Sequence, residues 1–64
     1  MRINLTNARK EKDLTQRDLA AIIGITEQHY QRLEAGTSNG STRLWEKLAQ
    51  VLDKSIDYLL SQAA

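Results

Sequence analysis

Four neighbouring side chains could form hydrogen bonds to another molecule: Glu27, Gln28, Gln31 and Arg32. Gln28 and Arg32 are four residues apart, so on an α-helix they project from the same face. A glutamine amide can bridge N6 and N7 of adenine, an arginine guanidinium can bridge O6 and N7 of guanine, and a carboxylate can accept from cytosine N4. The spacing therefore predicts a helix face that contacts base edges, although the same residues would also suit an ordinary solvated helix surface.

Three further polar residues suit contacts with a sugar–phosphate backbone. Gln16 lies at a predicted helix start, where exposed backbone N–H groups favour a phosphate. His29 adjoins Gln28 and is either a phosphate or base contact or a plain surface residue. Arg43 lies near the start of another predicted helix, where the helix dipole disfavours a cation, so a phosphate partner would explain it.

Local start and stop signals divide the chain into short helices without a strand. Thr15 and Thr26 are predicted N-caps, and Thr15 with Asp18 fits a capping box in which aspartate replaces the usual glutamate. Gly24 and Gly36 are expected to end helices, because glycine tolerates the left-handed conformation found there. The predicted helices span roughly residues 3–12, 15–23, 26–35, 41–52 and 55–60.

The break Gly24-Ile25-Thr26 is short enough to force the second and third helices to cross steeply. Ala20 supplies the small side chain that this close approach needs. Apolar residues at helical spacing then share one core and leave the polar face of the third helix outside. The expected core members are Leu5, Ala8, Leu19, Ile23, Ile25, Tyr30, Leu33, Leu44, Trp45, Leu48, Val51, Leu52, Ile56, Leu59 and Leu60.

Length and composition limit the function. The 64 residues are expected to form a single domain, residues 1–64, and with no cysteine and one histidine we expect no disulfide, metal or cofactor. A chain without cysteine or a paired-carboxylate pocket is not expected to be an enzyme. No apolar run suits a membrane span or a signal peptide, so the expected location is the cytoplasm. The basic start of the chain suits either an anion-facing side or a solvated surface; it contains Arg2, Arg9, Lys10 and Lys12.

The stretch from Leu14 to Gly36 resembles the Cro/repressor helix-turn-helix family, which includes lambda-repressor-like domains. The matching words are Leu14-Thr15-Gln16, Leu19-Ala20, Ile23-Gly24-Ile25-Thr26 and Arg32-Leu33-Glu34-Ala35-Gly36, with Ser55-Ile56-Asp57-Tyr58-Leu59-Leu60 in the last helix. The resemblance extends over nearly the whole chain. It implies an all-α, five-helix, lambda-repressor-like DNA-binding domain.

The resemblance also implies roles for individual residues. Gln16 matches a glutamine that touches phosphate and braces the recognition helix, and Arg9 with Glu34 matches a partly buried structural ion pair. The expected base contacts are Glu27, Gln28, Arg32 and Gln31. The expected contacts with the DNA backbone are Gln16, Arg17, Thr26, His29, Asn39, Thr42 and Arg43.

The sequence departs from the family pattern at four places. Tyr30 replaces the usual Ile or Val, so the core must hold a ring and satisfy its hydroxyl. Glu27 brings a negative charge to the face expected to meet DNA. The loop of residues 37–40 lacks the usual Lys, Arg and Pro, and Asp13 stands where glycine is common.

The expected function is sequence-specific binding of double-stranded DNA by a transcriptional regulator that represses by covering a promoter. Two copies on a pseudo-palindromic operator, with half-sites about 34–36 Å apart, would raise the specificity of a small domain. Ile56 and Tyr58 are the expected homodimer contacts. The alternative is a protein-interaction module, similar to an antitoxin or antirepressor, which the acidic Glu27 and the uncharged loop favour.

Overall fold

The computed structural model describes residues 1–61, and within this range it contains five α-helices and no strand. The all-α prediction is therefore confirmed. Lys12, which was expected inside the first helix, is instead the residue that follows it. Residues 62–64 of the expected domain lie outside the described residues. The helices are α1 (Ile3–Glu11), α2 (Gln16–Ile23), α3 (Glu27–Ala35), α4 (Thr42–Leu52) and α5 (Ile56–Leu60).

Side-chain caps start four of the five helices. The hydroxyls of Thr15, Thr26, Ser41 and Ser55 each accept a hydrogen bond from the backbone N–H three residues later. At α2 the Asp18 carboxylate also accepts from the Thr15 N–H at 3.1 Å, which completes the predicted capping box. Such caps stabilise a helix by about 1 kcal/mol each, so the starts of α2–α5 are determined locally.

The helix ends use left-handed residues. Gly24 and Gly36 have φ of 81° and 84° and end α2 and α3 as predicted. Asp13 and Asp53 also adopt positive φ, 57° and 56°, after α1 and α4. A residue with a Cβ is strained in this region, so the aspartate at position 13 stores strain that glycine would avoid.

One core holds the helices together. Tyr30 and Leu33 of α3 are completely buried against the other helices, as predicted. The prediction for Leu60 was wrong, because 42% of this residue is exposed. Leu59 already fills the inward position of α5, and the next residue lies about 100° further round the helix. The buried apolar residues are Leu5, Ala8, Leu19, Ala20, Ile23, Tyr30, Leu33, Leu44, Trp45, Leu48, Leu52 and Leu59, with Ile25, Val51 and Ile56 partly buried around them.

None of the helices within residues 1–61 is long and apolar enough to cross a membrane.

Candidate nucleic-acid interface

The α2–α3 pair presents a polar helix face to solvent. Ile25 N–H donates to the Ala20 carbonyl at 2.9 Å, which closes the turn between the two helices. Beyond that turn Glu27, Gln28, Gln31 and Arg32 are all exposed. Within residues 1–61 none of these four side chains forms a hydrogen bond or an ion pair. The face is therefore free to bind a ligand, and its polar groups need not break internal contacts to do so.

A shallow open depression runs along this face. It is lined by Gln28, Gln31, Arg32, Ala35 and Thr37. Thr37 was expected only as part of the polar loop after Gly36 and not as a site residue. The backbone turns back at that glycine, so the Thr37 hydroxyl donates to the Arg32 carbonyl at 3.4 Å.

The face is anchored from behind by the carboxylate of Glu34, which is 4% exposed. Arg9 Nε of α1 donates to Glu34 Oε2 at 2.6 Å. Thr6 Oγ1, also of α1, donates to Glu34 Oε1 at 2.9 Å, and Gln16 Nε2 of α2 donates to the same oxygen at 3.1 Å. A single buried charge thus connects three helices and orients α3 relative to α1 and α2.

The electrostatics of this cluster favour the ion pair. Burial alone would raise the pKa of Glu34, but the hydrogen bonds it accepts, led by that from Arg9, outweigh burial and lower its pKa. Burial raises the pKa of the adjacent Tyr30 phenol, and the charge of Glu34 raises it further. The Tyr30 hydroxyl lies beside Glu34 and Arg9, yet within residues 1–61 it has no hydrogen-bond partner in good geometry. The departure at position 30 therefore places a buried hydroxyl next to the ion pair.

The expected backbone-contact residues lie around the edges of this face. Gln16 is half-buried by its bond to Glu34, and its second amide hydrogen and its oxygen remain unused. Thr26 accepts from the His29 N–H at 3.1 Å and so serves as the α3 cap. The side chains that the structure leaves exposed are Arg17, Thr26, Asn39, Thr42 and Arg43, whereas His29 is partly buried.

The loop of residues 37–40 is held by Arg2, a residue that sequence reasoning placed on the basic surface. That placement was wrong, because Arg2 is 8% exposed. Its Nη1 donates to the carbonyls of Leu33 and Ser38, both at 2.7 Å, and its Nη2 donates to Asn39 Oδ1 at 3.2 Å. Its guanidinium also lies 5.1 Å from the centroid of the Trp45 ring. No sequence signal identifies backbone carbonyls as partners for an arginine that lies 31 and 36 residues away from them.

The expected dimer residues lie on α5. Ile56 is partly buried, and Tyr58 is 38% exposed. Lys54 Nζ lies 5.3 Å from the centroid of the Tyr58 ring, while Asn4 Nδ2 of α1 donates to the Tyr58 carbonyl at 3.0 Å. This end of the molecule is therefore a partly apolar surface, well attached to α1.

Over residues 1–61 no group of three potential metal ligands lies together.

The sequence is similar to a family profile and to two known proteins. Residues 5–59 match the family profile described as helix-turn-helix. The chain is 39% identical over 57 residues to the uncharacterized HTH-type transcriptional regulator YqaE of Bacillus subtilis strain 168, covering 89% of this chain and 49% of that protein. It is 40% identical over 52 residues to the antitoxin PezA of Streptococcus pneumoniae serotype 4, covering 81% of this chain and 33% of that protein. The chain thus spans about half or less of these curated relatives. No solved structure matches it significantly.

Proposed function

We propose that this chain, which belongs to the helix-turn-helix family, binds double-stranded DNA sequence-specifically as a cytoplasmic transcriptional repressor. The family consists of DNA-binding regulators and is typically non-enzymatic. The observation that carries the proposal is the outer face of α3, where four hydrogen-bonding side chains are exposed and have no partner within residues 1–61. A major groove about 12 Å wide admits one such helix.

In the proposed complex α3 lies in the major groove. Gln28 pairs with adenine, Arg32 pairs with guanine, and Glu27 accepts from cytosine N4. Gln31 lies on the same face and reaches the adjoining base or a bridging water. The rigid support from Glu34 behind the helix favours this role, because base contacts need side chains that are held in one orientation.

The DNA backbone is held on both sides of the reading helix. Gln16 donates its free amide hydrogen to a phosphate while its other hydrogen stays on Glu34. On the far side, residues at the start of α4 meet the neighbouring phosphates, helped by the exposed N–H groups of that helix. The proposed contacts are Gln16, Arg17, Thr26 and His29 on one side and Asn39, Thr42 and Arg43 on the other.

Repression follows from occupancy of the promoter. A single domain with so few phosphate contacts would bind weakly and lose affinity steeply with salt. Two copies joined through Ile56 and Tyr58 on a pseudo-palindromic operator would place two recognition helices about one helical turn apart. Such a dimer would compete with RNA polymerase for the same DNA.

The central test is in vitro selection from a random duplex pool, followed by titration of the selected site. Gln28→Ala is expected to relax the preference at about one base pair and to weaken the selected site by roughly 1–3 kcal/mol. Gln50→Ala is the matched control, because Gln50 is an exposed glutamine on α4. Unchanged selection by the Gln28→Ala protein would contradict the assigned contact.

The backbone contacts are tested by salt. Arg43→Ala should weaken every duplex alike and reduce the slope of log K against log salt by about 1. An unaltered slope would show that Arg43 does not reach phosphate.

One observation favours a second candidate, a protein-interaction module of the antitoxin type. The chain is similar to the antitoxin PezA over 52 residues. In this case the polar α3 face would bind a protein partner. The negative charge of Glu27 would then contribute to that contact, whereas on DNA it opposes binding. Titration against random duplex DNA at low salt separates the candidates, because a module that binds only protein would leave the duplex unbound.

A further inference from the structure

The loop between α3 and α4 has no cation of its own, yet a cation lies directly behind it. Residues 37–40 read Thr-Ser-Asn-Gly and carry no charge. The guanidinium of Arg2 donates to Ser38 and Asn39 of this loop and to the Leu33 carbonyl. The loop is therefore held by a charged side chain that lies near the start of the sequence.

The charge of Arg2 is not neutralised inside the protein. Of the acidic residues within residues 1–61, none forms an ion pair with Arg2; the ion pairs found there join Arg9 to Glu34 and Lys54 to Glu11. Neutral partners, namely carbonyls, an amide oxygen and the Trp45 ring, solvate the guanidinium instead. Because Arg2 is 8% exposed, its field is screened less by solvent than that of a surface arginine. A guanidinium charge without an acidic partner among residues 1–61 therefore lies directly behind an uncharged loop.

The same contact determines how Asn39 presents its amide. Asn39 Oδ1 accepts from Arg2 Nη2 at 3.2 Å, so the oxygen of the amide is directed inward. Its Nδ2 then carries two donor hydrogens, and the residue is exposed. An amide in this orientation suits an anion, whereas the reverse orientation would present an oxygen and repel one.

We propose that Arg2 is a positioning residue for DNA binding, which turns the Asn39 amide donors toward a phosphate and supplies the positive charge that the loop lacks. The inference rests on the proposed function. It adds to the residues that support DNA binding one that contacts neither a base nor a phosphate. It also accounts for a DNA-binding loop without lysine or arginine.

The test compares four variants of the chain on the selected duplex and on a random duplex. Arg2→Met removes the charge and the three hydrogen bonds that the guanidinium donates. The affinity of this variant is expected to fall about tenfold on both duplexes. Its salt slope is expected to shrink toward the value for one fewer phosphate contact, a change of up to about 1. Arg2→Lys keeps the charge but cannot hold all three acceptors, so it should keep the slope and lose part of the affinity.

Asn39→Ala and the double variant, which combines Arg2→Met with Asn39→Ala, measure the positioning role of Arg2. If Arg2 acts through Asn39, the loss in the double variant is smaller than the sum of the two single losses. Lys47→Met is the control for net charge, since Lys47 is an exposed lysine on α4 that forms no ion pair within residues 1–61. It is expected to leave the slope nearly unchanged.

Thermal unfolding by circular dichroism shows at which temperature every variant is folded, and binding is measured below it. If Arg2→Met does not fold, Arg2→Lys and Asn39→Ala still decide the matter. Any one of three results would overturn the proposal. They are an unchanged affinity in Asn39→Ala, a loss in the double variant equal to the sum of the single losses, and an unchanged salt slope in folded Arg2→Met. Failure of the unmodified chain to bind any duplex would instead overturn the proposed function, and the inference with it.

Discussion

Replacing Glu34 with glutamine tests whether one buried carboxylate holds the recognition helix in place. The substitution keeps the shape of the side chain and removes its charge. It leaves the Arg9 guanidinium, whose side chain is 11% exposed, without its anion. The donors on Thr6 and Gln16 must then share one amide oxygen, and an N–H group of the new amide would face the donor of Arg9.

The expected loss is large for a protein of this size. Breaking a buried ion pair costs about 3–5 kcal/mol, and Glu34→Gln should lie near the lower end because its oxygen still accepts. A chain of 64 residues has a free energy of unfolding of roughly 3–10 kcal/mol. The substitution therefore removes a large share of the stability, enough to lower the melting temperature by more than about 10 °C.

The pH dependence supplies a second readout with a definite sign. The pKa of Glu34 is lowered in the folded protein, so the unfolded chain binds the proton more readily than the folded one. The ion pair therefore contributes fully above the ordinary glutamate pKa, and its contribution is lost as the pH falls through the folded value. The difference between the original protein and Glu34→Gln should be largest near neutral pH and shrink below about pH 4.5.

Urea unfolding followed by the fluorescence of Trp45, the only tryptophan, measures both effects. Glu46→Gln is the matched control, because Glu46 is exposed on α4. It should change the free energy of unfolding by less than about 0.5 kcal/mol. A loss below about 1 kcal/mol for Glu34→Gln, or a loss that does not shrink in acid, would refute the role assigned to this carboxylate.

Four further substitutions test the backbone strain and the buried Tyr30 hydroxyl, each by urea unfolding. Tyr30→Phe should leave the free energy of unfolding unchanged or raise it by about 1–3 kcal/mol, because no group within residues 1–61 bonds this hydroxyl in good geometry, and a clear loss would mean that the hydroxyl is bonded to Glu34 or Arg9. Gly40→Ala should cost more than Gly24→Ala, since both have positive φ but only at Gly40 would a Cβ meet side chains, at 3.1–3.4 Å; equal losses would contradict this. Asp13→Gly should stabilise by up to about 1 kcal/mol by relieving a φ of 57°, and destabilisation would argue against strain there.

The helices and the exposed face of α3 could be predicted from the sequence because their causes are local. A Ser or Thr cap acts on an N–H group three residues away, and a glycine ends a helix through its own φ. The period of 3.6 residues separates Tyr30 and Leu33 from Gln28 and Arg32, so burial of one pair already implies exposure of the other. The resemblance to a known family carried the functional expectation further than these local patterns could.

Only the tertiary structure decided what lies behind that face. Arg2 could not be recognised as a buried support, because its partners are carbonyls and an amide more than 30 residues away, and every residue type has a carbonyl. The convergence of Thr6 and Gln16 on Glu34 likewise depends on the angle at which α1 and α2 meet α3. The side of α5 that faces the core left Leu60 outside for the same reason. Local patterns determine which residues form helices and which face is polar, whereas contacts between distant residues depend on how the helices pack.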